Sequence, residues 1–177
     1  MTGTLAEIHR RSVGGSGDTE EATMESLYLW LKFVHVAAVA VWVGGIFALT
    51  VLNARLARVG EPAAVAALGQ QSEAFGRTVI GPAMGVVLIA GLWMAGQFGI
   101  PFNSLWIVWG LAGFVVFILL GVVALGRTGA ELGALARAAG PDNPRVAALR
   151  QRISVLSWLN LLVLASVIWA MVFKPTL

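Results

Sequence analysis

The chain contains no cysteine, which removes disulfides, thiolate nucleophiles and thiolate metal ligation, and leaves its redox compartment unmarked. Charge is scarce too: Asp, Glu, Lys and Arg make up 12% of 177 residues, against 58% hydrophobic residues and a mean hydropathy of +0.84. So little charge is foreign to a domain that lives in water. No Asp or Glu falls within the long apolar runs, so a carboxylate relay across them is excluded. Histidine is limited to His9 and His35. A phosphate loop, a hydrolase elbow and a zinc motif are all missing. The basic residues alternate with apolar spans instead of forming a separate basic domain, which argues for no nucleic acid partner.

What the chain does have is apolar length. Residues 27–52, 79–98, 105–125 and 153–173 are each close to the roughly 20 residues a bilayer requires of a helix. The expected fold is therefore an all-α membrane protein, a four-transmembrane-helix up-down bundle over residues 27–175 with the lipid bilayer as its partner. Arg55, Arg58 and Arg77 follow the first span, and Arg127, Arg137, Arg145, Arg150 and Arg152 follow the third. The positive-inside rule puts both connections in the cytoplasm, which predicts a bacterial inner-membrane protein with both termini outside, N-out and C-out. Residues 1–26 are polar, of mixed charge and without an apolar core, and read as a disordered tail in which His9 is solvated. Met24, just before the first span, is a candidate translation start.

The connections carry helix signals. Glu61 and Pro62 suit the start of a short surface helix between the first two spans. Gly81 and Pro82 open the second span, where a missing amide costs little. Residues 99–104 are short enough to make spans two and three an antiparallel hairpin. Asp142, Asn143 and Pro144 supply capping chemistry for the last helix, whose amphipathic start extends into the cytoplasm.

The first span is the informative one. At 100° per residue, Tyr28, His35, Trp42, Leu49 and Asn53 form one stripe, and polar side chains in a membrane helix turn toward protein or a wet cavity. Lys32, near the outer boundary, suits snorkelling to the headgroups. His35 suits either a hydrogen bond to a neighbouring helix or a ligand role. Gly44 and Gly45 allow close approach of a helix or of a flat ligand. Counted from the outer boundary, the level of His35 corresponds to Gly91, Ala112 or Gly113, and Ala165 or Ser166, so small residues surround it.

Trp30, Trp93, Trp106, Trp109 and Trp169 lie in the outer half, either as an interfacial aromatic belt or as walls of a cleft. Thr50, Asn53, Ser157 and Asn160 lie in the inner half and suit hydrogen bonds between helices. A candidate pocket gathers His35, Trp42, Gly45 and Met94, with His35 the candidate metal ligand. Imidazole is a common axial ligand of haem, here with Met94 or Met171, as a five-coordinate site, or in a homo-oligomer that brings two copies together. Copper(I) also accepts His and Met donors. The functional readings are a haem- or porphyrin-binding redox protein, a copper-handling or small-solute membrane protein, and a non-catalytic membrane partner subunit.

The blocks LKFVHVAAVAVWVGG, GPAMGVVLIAGLWM and WAMVFKP together resemble a family of predicted bacterial integral membrane proteins of unknown function, over about residues 27–175. The first block also resembles the copper-resistance D membrane proteins and the HemJ-type protoporphyrinogen oxidases, which share a first-helix histidine followed by Trp and Gly. Here those positions are His35, Trp42 and Gly44 or Gly45. The oxidase resemblance implies haem on the histidine and oxidation of a porphyrinogen; the copper-resistance resemblance implies copper uptake. After Gly45 the chain reads IFALTVLNARL in place of the Tyr-Leu-Pro-Arg continuation of the oxidases.

Overall fold

A computed structural model describes residues 3–59, 62–140 and 143–175, with side chains described for 19–56, 67, 69–140 and 143–175. Glu61, Asp142 and the side chains of His9 and Arg58 lie outside the described residues. The structure is 92% helical and has no strand among the described residues. Its helices are α1 (Gly3–Val59), α2 (Pro62–Phe75), α3 (Gly81–Gln97), α4 (Leu105–Phe117), α5 (Gly126–Ala139) and α6 (Pro144–Phe173). Two π-helical segments, Gly76–Ile80 and Ile118–Leu125, splice α2 to α3 and α4 to α5. The result is four continuous rods long and apolar enough to cross a membrane, over Thr19–Leu56, Gly69–Gln97, Leu105–Ala139 and Pro144–Phe173.

Two boundaries differ from the sequence expectation. Helix α1 begins at Gly3, inside the stretch expected to be a disordered tail. Glu20, Glu21, Ala22, Met24 and Glu25 are all good helix formers, so a helix nucleated in the membrane propagates outward through them. The second span likewise does not open at Gly81; the helix is already running from Pro62. Pro82 has no amide to give, and its ring crowds the carbonyl four residues back. Widening to π geometry relieves that crowding, and the Gly81 amide bonds the carbonyl of Gly76, five residues earlier.

The helix ends are built from the expected residues. Phe98 closes α3, Gly99 takes the left-handed φ of 62°, and the Ile100 amide returns to the Ala95 carbonyl in a Schellman motif. Asn143 caps α6, its side-chain oxygen accepting from the Arg145 amide at 2.9 Å, with Pro144 in the first turn.

In cross-section the rods run in the order α3, α1, α6, α4. Helix α1 packs on α3 and on α6, while α4, the second π segment and α5 pack along α6. Among the described residues the backbones of α3 and α4 do not approach each other, so spans two and three are joined by a turn without forming the packed hairpin expected of them. Each is instead the antiparallel partner of a central helix. Trp42, Ile80, Met84, Phe117 and Leu164 make the core where all four rods converge. Lipid removes most of the hydrophobic drive between helices, so tight contacts of small residues against large ones carry the packing. Gly45 against Ile80, Gly110 against Met171 and Gly113 against Val167 are such contacts.

Candidate functional site

The stripe on α1 faces protein over most of its length. Tyr28 meets Phe98 edge-on at 4.9 Å between ring centroids, and Lys32 places its ammonium 5.8 Å from the Tyr28 ring while remaining exposed. At the inner end Asn53 is exposed and Thr50 is buried in its place. Both bond back to their own helix, Thr50 to the Ile46 carbonyl and Asn53 to that of Leu49, so the hydrogen bonds between helices expected of them are not made.

His35 is half-buried and crosses to α3, where its Nδ1 lies 2.9 Å from the Val87 carbonyl oxygen. A carbonyl can only accept, so Nδ1–H donates, and the neutral ring keeps its lone pair on Nε2. No described residue hydrogen-bonds Nε2. The approach depends on Gly91, four residues after Val87 and therefore directly over that carbonyl. A Cβ at position 91 would lie 3.0 Å from His35 Cε1 and 3.3 Å from Nδ1. Sequence depth placed Gly91 at the level of His35; the Val87 carbonyl left no trace in the sequence, because any residue supplies one.

The other expected pocket residues are spread along the bundle. Trp42, two turns inward on the same face as His35, is in the core and packs edge-on against Phe114 and Phe117, with ring centroids 5.6 and 4.9 Å away. Gly45 faces the junction of α2 and α3, where a Cβ would meet Ile80 Cδ1 at 2.5 Å and Phe75 Cε1 at 3.1 Å. Helix packing thus fills the space its missing side chain leaves. Gly44, by contrast, has nothing within 4 Å. Met94 is half-buried on α3, three residues outward from Gly91, whereas the Met171 methyl is packed over Gly110. The described residues include no group of three or more His, Cys, Asp or Glu side chains able to hold a metal ion.

The outer tryptophans mostly face outward. Trp30 is 65% exposed, and Trp93, Trp109 and Trp169 are about half exposed, as an interfacial belt requires. Trp109 Nε1 donates to Ser166 Oγ at 3.3 Å, and the Lys174 ammonium lies 5.3 Å from the Trp106 ring, tying the outer ends of α4 and α6 together.

An all-helical chain with four bilayer-length apolar rods, lipid-facing hydrophobics and inward-turned polar groups is a multi-span integral membrane protein. Residues 29–175 match the sequence profile of the family described as predicted integral membrane protein (DUF2269), and the chain belongs to that family. No curated protein and no solved structure matches it.

Proposed function

We propose that this protein is a membrane redox component that holds a b-type haem through His35 Nε2. The observation that carries this reading is the bond from His35 Nδ1–H to the Val87 carbonyl. Histidines that ligate metals almost always give their other ring N–H to a carbonyl or carboxylate, which fixes the tautomer and makes the ligating nitrogen more basic. His35 has that arrangement, on two packed helices rather than on a loop. The residues present fit a single axial imidazole. Met94, on the same helix as Val87 and farther out, is the soft donor of the reading. Trp42 and Gly45 serve the site by locking α1 against α4 and against the junction of α2 with α3. Haem bound there would supply one-electron transfer within the bilayer.

The test is the absorption spectrum of detergent-purified protein expressed with a haem precursor, beside His35→Ala. A Soret band that disappears in the variant is the expected result. A flat spectrum in both overturns the haem reading. Copper(I) binding without a Soret band would then favour copper handling by His35 and Met94. Neither signal, with an unchanged fold in His35→Ala, would leave the histidine as a strut between helices in a non-catalytic partner subunit.

The same proposal places the protein in a bacterial inner membrane, N-out and C-out, on the strength of the arginines in the two connections. A C-terminal alkaline phosphatase fusion is expected to be active and a C-terminal green fluorescent fusion dark. The reverse pattern would invert the topology.

A further inference from the structure

Among the described residues one arginine has a carboxylate partner: Arg77 meets Glu73 at 2.8 Å, one turn away on its own helix. Arg127, Arg150 and Arg152 meet none. Glu131 stands one turn beyond Arg127 on α5, but arginine on the N-terminal side is the less favourable order, and the pair does not form. Three guanidinium groups are thus left without a counter-charge at one end of the bundle.

Their heights coincide. A Cβ on Gly121 would meet Asn160 Nδ2 at 2.9 Å, and α5 stays packed on α6 beyond that point. The two antiparallel helices therefore run with Arg127 opposite Ser154 and Glu131 opposite Arg150. At about 1.5 Å per residue, the three arginines fall within about 6 Å of one another along the bundle axis. The apolar run of α4 and its π-helical extension ends at Leu125, and that of α6 begins at Ile153. Arg150 accordingly lies about 4.5 Å beyond the hydrocarbon, inside a headgroup layer about 5–7 Å deep. Arg145 lies about 12 Å out, in water.

Arg150 differs from the other two. Arg127 and Arg152 are exposed, whereas Arg150 is half-buried and its Nε–H is covered without an acceptor. Its terminal nitrogens are not covered, so one edge of the guanidinium is held by packing while the other opens at headgroup height. The platform is firm: Thr128 on α5 and Val146 and Leu149 on α6 are buried, and Asn143 caps the start of α6. A charged donor kept from water without an acceptor is costly. A side chain as long as arginine would swing out into water unless something at this height accepts from it.

We infer that Arg150 binds the phosphodiester of an anionic phospholipid in the leaflet at this end of the bundle. A guanidinium fork matches two phosphate oxygens, and basic side chains between membrane helices bind anionic headgroups. Arg152 lies about 200° around α6 from Arg150 and does not share the phosphate; with Arg127 it enriches anionic headgroups at the same height. Exposed Val122, Val155 and Leu159, just inside the membrane, offer apolar surface to the acyl chains. Phosphates line both faces of a bilayer, so the site exists whichever way the chain is inserted. It lies at the opposite end of the bundle from His35 and is independent of haem there.

The experiment is native mass spectrometry of the full chain released from detergent micelles, with phosphatidylglycerol as the probe and phosphatidylcholine of the same acyl chains beside it. The expected result is tighter binding of phosphatidylglycerol, weakened about tenfold in Arg150→Gln, which loses a charge-assisted bond. Arg152→Gln should weaken it about fivefold, and Arg145→Gln should leave it unchanged. Equal affinity for the two lipids would overturn the proposal, leaving the arginines to an acidic soluble partner. So would displacement by millimolar inorganic phosphate, which marks a site for a free anion, or an equal loss in Arg145→Gln and Arg150→Gln, which marks diffuse charge. Should Arg150→Gln fold poorly, Arg150→Lys keeps the charge and the stem and removes the fork. It is expected to weaken phosphatidylglycerol several-fold, and unchanged affinity there would also overturn the assignment.

Discussion

Gly91→Leu is expected to abolish the orientation of His35 while leaving the bundle assembled. A Cβ alone at this position would come within 3.0 Å of the imidazole, and the rest of a leucine would occupy the ring's place over the Val87 carbonyl. The substitution is otherwise favourable: leucine is a better helix former than glycine and suits a lipid-facing or half-buried position. The effect should therefore appear at the ligand and not in folding. Losing an outer-shell partner of a metal-bound histidine weakens metal affinity by about 10–100-fold. Haem retention at limiting haem should fall by that factor in Gly91→Leu, and by less in Gly91→Ala, where the ring need shift by only a few tenths of an ångström. Gly96→Leu is the control, because nothing lies within 4 Å of a Cβ there. The measurement is Soret absorbance against added haem. Equal affinity in Gly91→Leu and Gly96→Leu would remove the Val87 carbonyl from any part in binding.

How much of this arrangement the sequence discloses depends on which physical signal each part leaves. Apolar length is a strong signal, so the number of spans and the fold class are readable without coordinates. Asn143 and Pro144 are read correctly as a cap because capping is local chemistry. Helix pairing leaves no such mark. The turn at 99–104 suggests that spans two and three pack on each other, yet each packs on a central helix. A short loop restricts where the next helix begins without choosing its partner. The α1 stripe holds for Tyr28, His35 and Trp42 and fails at Asn53, because a period of 3.6 drifts around a long rod and contacts with α2 begin at its inner end.

The candidate site is legible in the same uneven way. His35 declares itself, since an ionisable residue in an apolar span is conspicuous. Its partner is a main-chain atom and is invisible. Gly45 and Gly91 look alike as letters, but Ile80 fills the space over one and an imidazole fills the space over the other. The sequence already sets Trp42 apart by its place on the His35 face, whereas Asn160 reads like Thr50 and Asn53 as one more polar residue of the inner half; that Trp42 Nε1 and Asn160 Oδ1 are buried without partners is visible only in the structure. His35 and Trp42 thus lie on one central helix, α1, and Asn160 on the other, α6, while α3 supplies the Val87 carbonyl and α4 the phenyl rings against Trp42.

The interface between α4 and α6 yields the largest expected loss of stability from a single methyl group. A Cβ on Gly113 collides with Val167 Cγ2, with Val167 Cβ at 3.7 Å and Val163 Cγ1 at 3.9 Å behind it. In a helix a valine has one strongly preferred rotamer, so that methyl cannot swing aside and the two rods must separate. A Cβ on Gly110 collides just as closely with the Met171 methyl, but the sulfur is at 3.9 Å and a methionine has three torsions through which to withdraw. Both substitutions gain the same helix propensity from alanine, so the difference between them isolates the stiffness of the neighbour. Gly113→Ala should cost about 1–3 kcal/mol, the range for an overpacked interior. Gly110→Ala should cost under about 1 kcal/mol, because a flexible thioether repacks at little expense. Reversible unfolding in mixed micelles measures both. Val167→Ala added to Gly113→Ala should restore much of the loss, since it removes the colliding methyl. Equal destabilisation by the two glycine variants, or no rescue in the double variant, would mean that backbone proximity and not the rigidity of Val167 limits how closely α4 and α6 approach.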